Sequence, residues 1–349
     1  MSGVTNDQRL INLLDAYRQA PAEFQATVYW QTYEREILDT LARLDINQLR
    51  SGRYKVLSTF GFNDTQYAWQ GKAPGISQSI LKLLTKMFSD KRDLAPYKMK
   101  ISDIRDAALQ HCALMAELTG TAAPDTIEVS RFGNPQDLFE IGGKPYTMPF
   151  LSNYVRACFA NKHIRFTGTE RVVELGTGSG YQVEVLKKLY PELTLLCFDL
   201  PAQLYLCETY LSEALDRSAI VSSEATRDWT DLSGVEPGKV HFFGNWQFPL
   251  LRGSRMDVFW NAASFGEMEP AVVQNYLDHI TGQANWIYLL QARQGKETQG
   301  KKHVELATAL GDYDRMLAGY ELAEERDAWH AHRKLSASGG YFEGVWRQP

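Results

Sequence analysis

The chain has 349 residues, 44% of them hydrophobic and 23% charged, with a formal net charge of −5. That is the make-up of a globular protein with room for one large domain or two of ordinary size, and the acidic balance gives no general reason to expect a nucleic-acid partner. The opening MSGVTNDQRL has no apolar signal core and no 18-residue apolar run follows, so no transmembrane segment is expected and the cytoplasm is the expected location. The four cysteines, Cys112, Cys158, Cys197 and Cys207, lack metal-ligand spacing and read as free thiols of a reducing compartment.

Residues 1 to about 45 read as helical. Leu10, Leu13, Leu14 and Tyr17 make one apolar face, Pro21 interrupts it, and Trp30, Tyr33, Ile37, Leu38, Leu41 and Leu44 make a second at helical spacing. Glycines and aromatics follow no period from 51 to 75. Helical spacing returns over Ile76–Phe88 and Ser102–Leu118, with Gly120 as a stop. Gly142-Gly143, between Phe139-Glu-Ile141 and Lys144-Pro-Tyr146, signals a hairpin, and Pro149–Ala160 reads as a helix.

From Arg171 strands and helices alternate. The strands fall at Val172–Leu175, Leu193–Phe198, Lys239–Phe243, Met256–Asn261 and Trp286–Gln291, with an antiparallel pair near Tyr320–Asp327 and Gly340–Trp346. Helices fit Tyr181–Tyr190, Leu204–Ala214, Pro270–Ile280 and Lys302–Met316. Such alternation implies a mostly parallel, doubly wound sheet whose ligands bind at the carboxyl ends of the strands.

The most informative stretch is Arg171-Val-Val-Glu-Leu-Gly-Thr-Gly-Ser-Gly180, a buried strand running into a glycine turn. Its partner is Leu193-Thr-Leu-Leu-Cys-Phe-Asp199-Leu-Pro201, a second buried strand that ends on an acid. The glycines let the backbone turn tightly and approach a ligand; the acid is placed to accept hydrogen bonds from ribose hydroxyls. Glu174 sits inside the motif, the spacing is not the Gly-x-Gly-x-x-Gly of dinucleotide enzymes, and the motif lies mid-chain. Together these resemble the class I S-adenosylmethionine-dependent methyltransferases.

That resemblance implies a Rossmann-like, doubly wound seven-stranded sheet, with S-adenosyl-L-methionine as cofactor. Gly176, Thr177, Gly178 and Gly180 would wrap its amino-acid end. Glu174 would lie near its ammonium or hold the loop through backbone hydrogen bonds. Asp199 would bind the ribose, with Leu200 packed on the adenosine. At the next strand end Asn245 is placed to meet an adenine edge and Trp246 to stack on it, or to pack under a loop. Asn261, at the end of the fourth strand, would also bind the cofactor; beyond it Glu267 is the first candidate for a general base, with His279 and His163 as rivals; Glu269, before Pro270, reads as part of a helix start. Arg293 is placed to contact a hydroxylated or anionic acceptor. No metal is expected, since no acid–histidine cluster follows these strands.

The wider runs Phe139–Phe150, Gly180–Leu186, Asp199–Tyr205, Asn261–Pro270 and Val273–Tyr276 resemble the sugar O-methyltransferase family of bacterial polysaccharide and glycosylated-metabolite pathways, over roughly residues 100 to 345. The resemblance implies methyl transfer to a sugar hydroxyl, for example at the terminus of a surface polysaccharide such as an O-antigen. The alternatives are a small-molecule O- or N-methyltransferase of secondary metabolism and a non-catalytic scaffold that keeps the fold. Residues 136–349 would be the cofactor-binding domain. Residues 1–135 would be a mostly helical lid, acceptor wall or oligomer interface. The partners to expect are a sugar or glycan acceptor, a second copy as a homodimer, and a glycan-assembly complex met peripherally. The basic cluster Lys91, Arg92, Lys98, Lys100 and Arg105 reads as a solvated helix end or as a contact for an acidic sugar.

Overall fold

The near-continuous apolar runs of the second half of the chain become the buried centre of one eight-stranded sheet. The structure is a computed structural model that describes residues 6–57, 59–61, 101–300, 303–329 and 340–349. The helix expected at Ile76–Phe88 and the cluster residues Lys91, Arg92, Lys98 and Lys100 lie outside the described residues.

Three helices come first: α1 (Gln8–Arg18), α2 (Val28–Leu41) and α3 (Ile101–Thr119). The hairpin β1 (Phe139–Ile141) and β2 (Lys144–Tyr146) leads into α4 (Met148–Ile164). The sheet is built from β3 (Arg171–Leu175), β4 (Thr194–Asp199), β5 (Ile220–Val221), β6 (Val240–Gly244), β7 (Met256–Ala262), β8 (Ala284–Ala292), β9 (Glu321–Asp327) and β10 (Tyr341–Arg347). Between them run α5 (Tyr181–Leu189), α6 (Pro201–Ala214), the single turn α7 (Ser223–Thr226), α8 (Pro270–Asp278) and α9 (Leu310–Met316).

The strand order is β5-β6-β4-β3-β7-β8-β10-β9. Only β10 runs against the others, pairing antiparallel with both β8 and β9. The seven long strands have the order of the class I methyltransferase fold; the eighth, β5, is a two-residue edge strand beside β6, too short for a sequence pattern to reveal. Residues alternate between the two faces, as period-two side chains must. Val172, Leu195, Phe242 and Val258 join the core under α4, α5 and α6, while Val173, Leu196, Phe243 and Phe259 pack with α8 and α9. All four cysteines are buried and free.

The helix expected from Lys302 begins only at Leu310. Residues before it are tied elsewhere: the Glu305 N–H donates to Glu269 Oε1 at 3.1 Å and the Thr308 hydroxyl to the Met268 carbonyl at 2.7 Å. The helix then starts where Asp312 accepts the Ala309 N–H at 2.8 Å.

The N-terminal helices join the core over the glycine-motif side of the sheet. Arg9 of α1 pairs with Glu208 of α6 at 2.8 Å. Arg50 is fully buried, its guanidinium 4.6 Å from the Tyr181 ring and 4.9 Å from the Tyr210 ring. It donates to the Tyr181 and Tyr210 hydroxyls at 2.9 and 3.1 Å, and to the carbonyls of Ser130 and Phe60 at 2.8 and 3.2 Å. Tyr210 in turn donates to Glu184 at 2.6 Å. A planar fork makes these bonds and an ammonium cannot make them all. Arg50→Lys is therefore expected to lower unfolding stability by about 2 kcal/mol, read as a lower denaturant midpoint at unchanged slope.

Candidate active site

At the carboxyl end of β3 the backbone takes left-handed conformations at Gly176 (φ +76°), Gly178 (φ +55°) and Gly180 (φ +75°), which side chains other than hydrogen disfavour. Space is as restrictive as torsion at Gly176, where a Cβ would meet Ser264 Oγ at 2.5 Å. The turn is fixed from the next strand. The Gly176 N–H donates to the Phe198 carbonyl at 2.8 Å. Asp199 accepts the Gly178 N–H through Oδ2 at 2.7 Å and the Leu200 N–H through Oδ1 at 2.8 Å. Burial pushes the Asp199 carboxyl up to about 7 against the pull of those two donors, and the charge of Glu267 adds to the rise. Glu174, below the loop, is pushed well above the carboxylate range by burial and then by Asp199. Glu34 of α2 is pushed up to about 8 by the same two causes.

A cavity of about 160 Å³ opens beside the loop. Its floor is Leu175, Gly176 and Gly178; Asp199, Leu200 and Gln203 form one wall. Asn245 and Tyr276 form another, and Ala262, Ala263, Ser264, Glu267 and Met268 follow from the end of β7. Ala263 is held at φ +69°, an uncommon conformation for a residue with a side chain. The roof comes from far away in sequence: Gln25, Ala26, Thr27, Trp30 and Thr59. Three lining side chains carry buried polar atoms with no hydrogen-bond partner: Asn245 Oδ1, Gln203 Oε1 and Trp30 Nε1. The Asn245 amide nitrogen is engaged, donating to the Phe24 carbonyl at 2.7 Å and the Tyr276 hydroxyl at 2.9 Å, so its oxygen is held toward whatever fills the space. Buried polar atoms are rarely left unpaired; two acceptors and a donor beside a glycine cradle fit a ligand with amino and hydroxyl groups.

Glu267 lines the same cavity, at the end of the short turn Phe265–Glu267. Its Oε1 accepts from the Tyr29 hydroxyl at 3.1 Å and pairs with the Lys296 ammonium at 2.9 Å. Burial raises the Glu267 carboxyl above its ordinary range, while Lys296 and Tyr29 pull it back.

Several expected site residues stand apart from the cavity. Asn261 is fully buried and stitches strand ends together, donating to the Leu175 carbonyl at 2.9 Å and to Ser264 Oγ at 2.6 Å, and accepting from Gln291 at 2.6 Å. Trp246 folds over Gly244 and lies 5.6 Å from the Tyr17 ring, outside the lining. Gly180 starts α5 and packs on Leu211 and Cys207. Thr177 and Glu174 are buried beneath the turn, each with one unpartnered oxygen. His279, which ends α8, lies between Phe24 and Phe248 and does not line the cavity. His163 bonds Glu324 at 2.8 Å. The guanidinium of Arg293 turns away to Glu325 and Asp327, at 2.7 and 2.8 Å. Sequence reading missed Tyr29, Trp30, Gln203 and Lys296. Only Lys296 carried a signal, its place beside the β8 strand end.

No known family model matches the chain, and no curated protein matches it. Solved structures of similar fold include a SAM-dependent methyltransferase from Aquifex aeolicus, 14% identical over 51% of this chain and 81% of that one, with a TM-score of 0.34. A TehB-like SAM-dependent methyltransferase from Corynebacterium glutamicum is 12% identical over 53% of this chain and 83% of its own, with a TM-score of 0.32. The mitomycin 7-O-methyltransferase MmcR is 12% identical over 79% and 85%, with a TM-score of 0.37.

Proposed function

We propose that this protein is an S-adenosylmethionine-dependent O-methyltransferase that acts on a sugar hydroxyl, such as one at the end of a surface polysaccharide. One observation carries the reading. A left-handed glycine turn, a ribose-type acid, an unpartnered amide oxygen and a buried carboxylate share one cavity at the carboxyl ends of parallel strands. When bound, the cofactor supplies a methyl group activated by a sulfonium, which needs no metal to make it electrophilic. Gly176 and Gly178 would hold its amino-acid end and Asp199 its ribose, with Leu200 along the adenosine. Asn245 Oδ1 would accept from the adenine amino group. Glu267 would take the proton of the acceptor hydroxyl, while the cavity walls hold the two reactants in line. Trp30 of α2, in the cavity lining, offers a flat ring with a polar edge, which suits the apolar face of a sugar. No described helix is long and apolar enough to cross a membrane, and we assign the protein to the cytoplasm, where the cofactor is made.

Titration calorimetry tests the base of this reading. Micromolar binding of S-adenosylmethionine and S-adenosylhomocysteine is the expected result; no binding at millimolar ligand overturns it. Labelled cofactor then tests the acceptor. Transfer to a phenol or amine but to no sugar or glycan terminus would move the protein to small-molecule methylation, and binding without transfer to any acceptor would favour a scaffold.

A further inference from the structure

The two donors to Glu267 converge on one oxygen. Tyr29 lies on α2, 238 positions away in sequence, and Lys296 sits just beyond the turn after β8. That turn depends on Gly295, at φ +69°, where a Cβ would meet the Thr308 carbonyl at 2.6 Å. The Lys296 ammonium also lies 5.4 Å from the centre of the Tyr29 ring, a cation–π distance. Each of the three side chains thus fixes the other two, and Oε1 is the point where they meet. We propose that Lys296 and Tyr29 are positioning residues for Glu267, holding its Oε1 so that Oε2 faces the acceptor hydroxyl. This inference rests on the methyltransferase reading and adds how its base is aimed and kept ionised.

The proton balance follows. The acceptor oxygen forms the new C–O bond and its O–H proton passes to Glu267 Oε2. The electron pair of the former C–S bond stays on sulfur, leaving a neutral thioether. Between turnovers Glu267 must return to the carboxylate, and burial alone would oppose that. Lys296 supplies the opposing charge at 2.9 Å. Among the described residues, the other ionisable groups around the pair are Asp199 at the end of β4, Tyr33 beside Tyr29, and Tyr341 of β10 near Lys296. None of these is a cation, so Lys296 is the group that holds the base charged.

The test is a carboxyl titration of the full chain without ligand. Carbon-13 NMR with carboxyl-labelled glutamate follows Glu267, its resonance identified by its loss in Glu267→Gln. In Lys296→Met the midpoint is expected to rise by about one to two pH units. Lys296→Gln gives the same shift should the methionine variant fail to fold, and Lys296→Arg keeps the midpoint near wild type. Tyr29→Phe raises it by less. A Glu267 midpoint unchanged in both Lys296→Met and Lys296→Gln overturns the proposal. Calorimetry with S-adenosylhomocysteine on the same samples separates the two failures: lost binding in the wild type sinks the methyltransferase reading, whereas wild-type binding with an unmoved midpoint sinks only the role of Lys296.

Discussion

Asp199→Ala is expected to weaken S-adenosylhomocysteine binding by about 10²- to 10³-fold, measured by calorimetry. Two effects add. The variant loses the carboxylate that would meet the ribose, and it releases the Gly178 and Leu200 N–H groups that Asp199 now holds at 2.7 and 2.8 Å. Hydrogen bonds to a charged partner contribute about 1.5–3 kcal/mol each, so the loss of two near the lower end of that figure, about 3–4 kcal/mol, corresponds to that range. The same residue gives the site a pH dependence. Its carboxyl titrates at about 7 in the folded chain, against 3.8 for the free side chain. The folded protein therefore holds this proton more tightly than the unfolded one. The resulting stabilisation is full below the unfolded value and is lost as pH rises through about 7, and Glu34, at about 8, acts in the same sense. Without ligand, the melting temperature should fall between pH 5 and pH 8. Ribose hydroxyls favour the ionised form, so affinity for S-adenosylhomocysteine should rise over the same interval. Asp199→Asn should weaken both trends; an affinity trend as steep as wild type in that variant would remove Asp199 from the ribose site.

Glu267→Gln is expected to lower kcat by about 10²- to 10⁴-fold, the usual range for a lost general base. Its effect on S-adenosylhomocysteine affinity should stay within about 2-fold, because the amide keeps the shape of the carboxylate and, on the proposed reading, Glu267 would face the acceptor rather than the cofactor. Both quantities come from one purified variant, by rapid methyl-transfer assay and calorimetry. Near-normal turnover would return the base to His279 or His163, although His279 is packed between Phe24 and Phe248 and His163 is bonded to Glu324.

The centre of the sheet was legible because β3, β4, β6, β7 and β8 are largely buried on both faces and so read as apolar runs with glycine, proline or acid near their ends. The glycine turn and Asp199 were legible for the same reason: they are local, within one strand–turn–helix unit and the strand beside it. What failed was long-range. Nothing near Tyr29 or Trp30 distinguishes a helix that roofs a cavity from one that only packs on a core. Tyr29 finds its partner in Glu267, and Trp30 shares its cavity with the end of β7, both more than 200 positions away. Arg293 and Lys296 were both visible at the strand end, and the chemically richer side chain was favoured. Yet β9 lies two strands along and brings Glu325 and Asp327 to Arg293, while the left-handed turn at Gly295 leads Lys296 to Glu267. Lys302–Met316 had helical spacing throughout, but side-chain and backbone ties to Met268 and Glu269 hold its first part out of the helix.

The Arg50 clamp also bears on the order in which the chain can fold. Its ring partners lie 131 and 160 positions later. On the ribosome, at about 5–20 residues per second, Arg50 emerges on the order of ten seconds before Tyr210. During that delay the Phe60 and Ser130 carbonyls are already made, but the rings that stack on its guanidinium are not all present. Closing so long a loop is slow, so the last step of assembly is the docking of the earliest-made residues onto the latest-made half. The cavity is lined from both parts of the chain, so newly made chains are expected to gain affinity for a ligand abruptly rather than by degrees.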